Sequence, residues 1–242
     1  MKRFFDKLFK GDKKAFVEIL KDHLINEKRM FLVTANPEAF MLGKAEPEME
    51  KLLLDEATTM TADGIGLIKG GGMIGVNLPE RIPGVELAQE LFALGDEHGK
   101  SIFLLGAKQE VLDALCGVIA EKYPNLKICG AVNGYVPDKD EVFEDIKKLQ
   151  PDIVLVALGM PAQEKLIYKH LRDFQKGIFV GVGGSFDVLS GMKQRAPEFF
   201  IKHNLEWFYR IAKEPSRFKR FYNGNVKFLF VLRKEKQRKE HV

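Results

Sequence analysis

The sequence has few of the residues that staple small folds together. Its 242 residues include two cysteines, Cys116 and Cys129, each set in an apolar pattern and not spaced as a ligand pair. Packed, reduced thiols are therefore expected, not a disulfide framework or a cysteine metal centre. The five histidines (His23, His98, His170, His203 and His241) show no ligand spacing, and no metal is expected. Long hydrophobic runs are missing as well. The longest near the C-terminus, residues 228–232, falls far short of the ~20 residues that cross a bilayer. At the N-terminus, Lys2, Arg3, Asp6, Lys7 and Lys10 interrupt the apolar residues, which leaves no signal-peptide core and predicts a cytoplasmic location. Internal repeats and low-complexity segments are absent.

What the chain does have is 45% hydrophobic residues, enough to bury one sizeable core. Apolar runs at 30–34, 101–106, 126–130, 152–159 and 177–182 alternate with helical periodicity at 84–98, 108–123, 139–149 and 161–174. A short strand is expected over 58–61. Strands apolar on both faces and joined by helices predict an α/β fold, a Rossmann-like parallel sheet sandwiched by helices. After Gly191 the alternation stops, and the spacing predicts two helices, 197–213 and 216–240, parted at Pro215. Charge divides the chain at the same place. Residues 195–242 hold thirteen basic and five acidic residues, a net +8, which leaves residues 1–194 at −4 of the chain's +4. The expected organisation is an α/β catalytic body, 1–194, and a basic, aromatic helical appendage, 195–242, suited to an anionic ligand or an anionic membrane. Its aromatics can also pack against the body. The confinement of basic residues to this tail, beside an acidic body, argues against nucleic acid.

In open parallel sheets ligands bind beyond the carboxyl ends of the strands. Four such ends carry polar or glycine-rich sequence: Thr34-Ala35-Asn36-Pro37, Thr61-Ala62-Asp63-Gly64, Gly159-Met160-Pro161-Ala162-Gln163 and Gly181-Val182-Gly183-Gly184. Asp63 has two readings, a general base on a loop without a neighbouring cation or the cap of the following helix. The glycines of 181–184 permit close approach of a ligand to backbone N–H groups. Phe186, standing where a dinucleotide fingerprint needs glycine, argues against a nicotinamide cofactor. Gly70-Gly71-Gly72 lacks the lysine and hydroxyl of a phosphate loop and is expected to form a flexible turn. Asp138 and Asp140 match a metal-binding carboxylate spacing, but after Pro137 they are better read as capping a helix. Arg217 and Arg220, three apart on one helical face, have the geometry to clamp a diphosphate; a solvated basic face is the alternative.

Taken in order along residues 15–225, these motifs resemble the WecG/TagA/CpsF family of bacterial glycosyltransferases. The matching stretches include Thr34 with Asn36-Pro37-Glu38, Ala62-Asp63-Gly64, Pro79-Glu80-Arg81-Ile82-Pro83-Gly84, Asn133-Gly134-Tyr135, Gly159-Met160-Pro161-Ala162-Gln163-Glu164, Arg195-Ala196-Pro197, Glu206-Trp207-Phe208-Tyr209-Arg210 and Glu214-Pro215-Ser216-Arg217. Ala35, Ala162 and the triple glycine depart from the pattern. The resemblance implies a metal-independent, cofactor-free, inverting transfer of N-acetylmannosamine from its UDP donor to N-acetylglucosamine on undecaprenyl diphosphate, the linkage-unit step of wall teichoic acid synthesis. Branches of the family use N-acetylmannosaminuronic acid or glucose-type donors instead. It implies Asp63 as base and Thr34 as a second catalytic-site residue. Substrate contacts would come from Asn36, Gln163, Gly181, Gly183, Gly184 and Arg81. Arg210, Arg217 and Arg220 would hold the diphosphate. The appendage would complete the site against the inner face of the plasma membrane.

Overall fold

A computed structural model describes residues 1–240, without the side chains of Arg210, Arg217, Arg220, Arg238, Lys239 and Glu240. Six strands, β1 (Arg29–Ala35), β2 (Thr58–Ala62), β3 (Ser101–Gly106), β4 (Lys127–Val132), β5 (Ile153–Ala157) and β6 (Gly177–Gly181), form one sheet in the order β2-β1-β6-β5-β3-β4. All five pairings are parallel. Alternate residues of the strands point to opposite faces. Phe31, Val33, Phe103, Leu105, Val154, Val156 and Phe179 enter one core with the helices Pro37–Ala45, Pro47–Leu54, Lys139–Leu149 and Ala162–His170. Leu32, Ile102, Leu104, Ile153, Leu155, Ile178 and Val180 enter the other with Lys13–Ile25, Gly84–Glu97 and Gln109–Lys122. The expected sandwich is thus present. β5 and β6 are buried at every position, as their unbroken apolar sequence requires.

Polar pins set the amino ends of the strands. The Asp152 carboxylate accepts from the Ser101 N–H at 2.9 Å and the Ser101 hydroxyl at 2.7 Å, and pairs with Lys176 at 2.8 Å. Burial raises its pKa, but the Lys176 and Ser101 hydrogen bonds outweigh this and hold it below the usual carboxylate value. At one sheet edge β2 is covered by the N-terminal segment, where the Phe9 N–H donates to Met60 O at 2.8 Å. That contact blocks an otherwise open strand edge.

Two expectations change. Gly70-Gly71-Gly72 is not a turn but part of the helix Ile65–Met73. A Cβ on Gly70 would lie 2.8 Å from the Phe228 ring and 3.1 Å from Leu232, so the side chain that Gly70 lacks leaves the seat for the C-terminal helix. The tail is also more finely divided than two helices. Its first part breaks into Glu198–Lys202 and Glu206–Lys213 around Asn204, whose φ is +58°. Beyond Pro215, Arg217–Phe221, a π-helical turn Tyr222–Val226 and Lys227–Glu240 follow one another without interruption. Phe228 and Leu232 are fully buried, and the Phe228 ring lies 6.1 Å from Phe5 and 6.2 Å from Phe40. Glu235 pairs with the N-terminal ammonium at 3.1 Å and with Lys44.

Phe228→Ala therefore removes a packed aromatic from the main core. It is expected to lower unfolding stability by about 3–5 kcal/mol, read from urea denaturation; an unchanged midpoint would mean that the C-terminal helix does not dock as described.

Candidate active site

The carboxyl ends of β1 and β2 are tied together by backbone hydrogen bonds. The Asp63 N–H donates to Ala35 O at 2.6 Å, and the Ile82 N–H donates to Ala62 O at 2.7 Å. The second bond lays residues 79–84 across the strand ends, and Gly84, first residue of the helix Gly84–Glu97, comes down on Thr34. A Cβ on Gly84 would be 3.0 Å from Thr34 Oγ1. Thr34, 9% exposed, stands in register with Thr61 on the same face of the sheet. The Thr61 hydroxyl is wholly buried and finds no hydrogen-bond partner among the described residues. This second threonine escapes sequence reading, because only the β1–β2 register puts it beside the first.

Asp63 is half-buried at the rim of this corner. The N-cap of the next helix is Gly64, with φ +95°, and it makes no side-chain cap bond. The acid is thus displaced from the capping position by one residue, and glycine takes the left-handed geometry that a bulkier residue would strain. Asn36 does cap a helix: its Oδ1 accepts from the Ala39 N–H at 2.9 Å. Thr34, Asn36 and Asp63 therefore share one corner, with Arg81 on the segment that covers it.

Gln163, Gly181, Gly183 and Gly184 gather at the ends of β5 and β6. The Gln163 side chain is 4% exposed in total and ties two loops together, its Oε1 accepting from the Gly159 and Gly183 N–H groups at 3.0 Å each. Its Nε2 donates to Glu164 Oε1 at 2.7 Å. A Cβ at Gly181 would lie 2.5 Å from Gln163 Nε2, so the glycine clears space for this tie. Gly183 (φ +50°) and the exposed Gly184 form the turn above it. Since β6 pairs with β1, the two groups of residues are neighbours along one edge.

Arg81 is engaged by the tail. Its Nη1 lies 3.1 Å from Glu206 Oε2, with both side chains largely buried, and its Nη2 reaches Ile201 O at 3.5 Å. Arg195 continues the network, 2.7 Å from Glu86 and 4.0 Å from Glu206, and Lys13 lies 3.2 Å from the other Glu86 oxygen. Burial pushes the Glu86 pKa up, but the hydrogen bonds from Arg195 and Lys13 carry it below the ordinary value. The acids of this network are individually unremarkable in sequence, which is why it was not anticipated. The side chains of Arg210, Arg217 and Arg220 lie outside the described residues.

Tail backbone also reaches the corner. A Cβ on Gly224 would be 3.3 Å from Glu38 Cβ, and one on Gly66 would be 3.0 Å from Asn225 Oδ1. Gly66 and Glu38 sit in the first turns of the two helices that follow Asp63 and Asn36. Elsewhere, a cleft of about 410 Å³ opens beyond β4 and β5, lined by residues that include Gly134, Asp138, Asp140, Leu158 and Ala162. Asp138 caps the helix Lys139–Leu149 by accepting from the Asp140 and Glu141 N–H groups, and Asp140 pairs with Lys169 at 2.8 Å and His170 at 2.6 Å. Glu144, His170 and Asp173 come close enough to share a cation, but His170 already pairs with Asp140 and stacks on Phe143.

An acid, two threonines and glycine turns are thus collected at the carboxyl edge of a parallel α/β sheet, the edge at which such sheets take their ligands. The model of the WecG/TagA/CpsF glycosyl transferase family matches residues 5–242, and the chain belongs to that family; it is a glycosyltransferase. It is 39% identical over 227 residues to the N-acetylglucosaminyldiphosphoundecaprenol N-acetyl-beta-D-mannosaminyltransferase of Bacillus subtilis (strain 168), covering 93% of this chain and 88% of the relative. Identity to the enzyme of the same name from Bacillus spizizenii (strain ATCC 23059 / NRRL B-14472 / W23) is 38%, with 92% and 86% covered. For that of Staphylococcus aureus (strain MW2) it is 35%, with 92% and 87% covered.

The buried tie at Gln163 is separable from substrate contact. Gln163→Ala strands two backbone donors and should cost about 1–3 kcal/mol of stability, measured by urea unfolding of the free protein; a variant as stable as the parent would remove the structural role.

Proposed function

We propose that this chain transfers N-acetylmannosamine from UDP-N-acetylmannosamine to N-acetylglucosamine carried on undecaprenyl diphosphate, with inversion at the anomeric carbon. The observation that carries the reading is the corner at the ends of β1 and β2, where Asp63 is held by its own backbone bond to Ala35, beside Thr34 and under the segment of Arg81. Three relatives that align over more than nine-tenths of this chain carry the name of a mannosaminyltransferase acting on N-acetylglucosaminyldiphosphoundecaprenol, which supports this acceptor and this kind of transfer.

In this mechanism Asp63 takes the proton of the acceptor hydroxyl as its oxygen attacks the anomeric carbon. The bond from that carbon to the donor diphosphate breaks, and UDP leaves from the opposite face. Thr34 and Asn36 orient the sugars through neutral hydrogen bonds, and the Gly183–Gly184 turn gives the donor close approach to backbone. Arg210, Arg217 and Arg220 neutralise the charge that develops on the departing diphosphate, a task that needs no metal ion. Support for the last role is the course of the tail, whose Gly224 and Asn225 pass the first turns of the helices beside Asp63 and Asn36. Asp63→Ala is expected to lower transfer to a short-chain lipid-diphosphate acceptor by about 100- to 10,000-fold with the circular dichroism spectrum unchanged. Turnover near the parent's would take Asp63 out of the mechanism. Faster transfer from the uronic acid or a glucose-type donor would reassign the sugar.

The tail also holds the enzyme at the membrane that carries the acceptor. Phe199, Phe208, Phe218 and Phe230 are more than half exposed, and Trp207 and Tyr222 are partly so, among lysines and arginines. No helix among the described residues is long and apolar enough to cross a bilayer, so this composition serves interfacial attachment. Cosedimentation with phosphatidylglycerol vesicles, weakened by salt and by Phe208→Ala with Phe230→Ala, is the expected result. Equal binding to neutral vesicles would dismiss the electrostatic part.

A further inference from the structure

The tail is fastened to the body at two places. One is apolar: Phe228 and Leu232 are buried on Gly70, with Gly224 and Asn225 against Glu38 and Gly66. The other is ionic: Glu206 on Arg81, with Arg195 on Glu86 at the start of the tail. Between them lie residues 207–223, which include Arg210, Arg217 and Arg220. A segment of chain fixed only at its far end would sample many positions. Fixed at both, it is confined to the span between anchors that each adjoin the Asp63 segment, one through Gly66 and the other through Arg81 and Ile82.

We infer that Glu206 is a positioning residue, whose carboxylate latches the arginine-bearing segment to Arg81 and so seats it against the catalytic corner. The path is short. Arg81 is bonded to Ile82, whose N–H holds Ala62 O at 2.7 Å, and Ala62 precedes Asp63. The charges around Glu206 explain why this residue and not its neighbours does the work. Its Oε2 lies 3.1 Å from one guanidinium and 4.0 Å from a second, and Glu206 is 8% exposed as a whole. Removing that carboxylate leaves Arg81 facing Arg195 in a largely desolvated place, where an unbalanced cation is costly. Among the described residues, the other acid paired with Arg195 is Glu86, which is also shared with Lys13. Arg81 is thereby a latch and not a substrate contact. The inference rests on the reading of the Asp63 corner as the active site.

The test uses the full chain with UDP-N-acetylmannosamine and the lipid-diphosphate acceptor, together with limited trypsin digestion in the absence of both. Glu206→Gln should lower kcat by about 10- to 100-fold and leave the donor KM unchanged, because the lost interaction acts on the departing diphosphate. Arg81→Gln should match it, and the double variant should be no worse than either. Glu206→Asp, which keeps the charge, should regain part of the rate. In both neutral variants trypsin should cut faster after Lys202 and Lys213, while the unfolding midpoint shows that the body remains folded. Parent-like kcat and parent-like cleavage in Glu206→Gln overturn the latch. So does an Arg81→Gln defect that adds to that of Glu206→Gln, since Arg81 then acts on substrate itself. Full activity in Asp63→Asn combined with accelerated cleavage in Glu206→Gln is a different failure: it overturns the placement of the active site and upholds the latch.

Discussion

All six strands run in one direction, and this constraint decides which residues meet at the sheet's carboxyl edge. Every connection that leaves a strand's carboxyl end must turn at the same edge, so residues far apart in sequence meet there. The turns differ in what they need. After β2 the chain must release Asp63 from the helix that follows, and Gly64 at φ +95° does so. After β5 and β6 the loops need a buried acceptor, which Gln163 provides to Gly159 and Gly183. After β1, Asn36 supplies its own helix cap. Asn36 and Gln163 thus each have a local backbone task at the edge.

The second determinant is the fit of the tail to the body. Gly70 is placed where the C-terminal helix crosses, and the ring of Phe228 occupies the volume that a side chain would fill. Burial of Phe228 and Leu232 links the last turns of the chain to the same core that holds Phe31, Val33 and Phe40. A segment that charge alone marks as separate is thus continuous with the body through its apolar residues. The π-helical turn Tyr222–Val226 lies where the tail passes Glu38 and Gly66, and its small residue Gly224 permits the closest approach.

Much of this was legible in the sequence, for physical reasons that also mark where reading stops. Strands buried on both faces announce themselves by unbroken apolar runs such as 153–157, and the parallel sheet follows. Gly70–Gly72 misled because glycine's low helix propensity takes no account of a partner helix that needs the space at Gly70. Asp63 stayed open between base and cap because the two readings differ by a single residue of helix start. Gln163 was identifiable as a residue of the edge and Arg81 through the family resemblance, but not their partners: backbone donors at Gly159 and Gly183 and a carboxylate 125 positions away carry no local signal. Thr61 became visible only with the strand register.

Charge counting undersells the tail. Its net +8 includes five acids, yet two of these face inward. Glu206 is spent on Arg81, and Glu235 on Lys44 and the N-terminal ammonium. Glu198 is offset locally by Lys202 at 2.9 Å. Acids that pair with body cations do not offset the tail's own lysines and arginines, so a net charge counted along the sequence mixes two separate sets of pairs. The aromatics divide in the same manner: Phe228 is consumed by the core, whereas Phe208, Phe218 and Phe230 stay exposed. One segment thus uses two of its acids and a buried phenylalanine to bind its own body, while other aromatics of the same segment remain exposed.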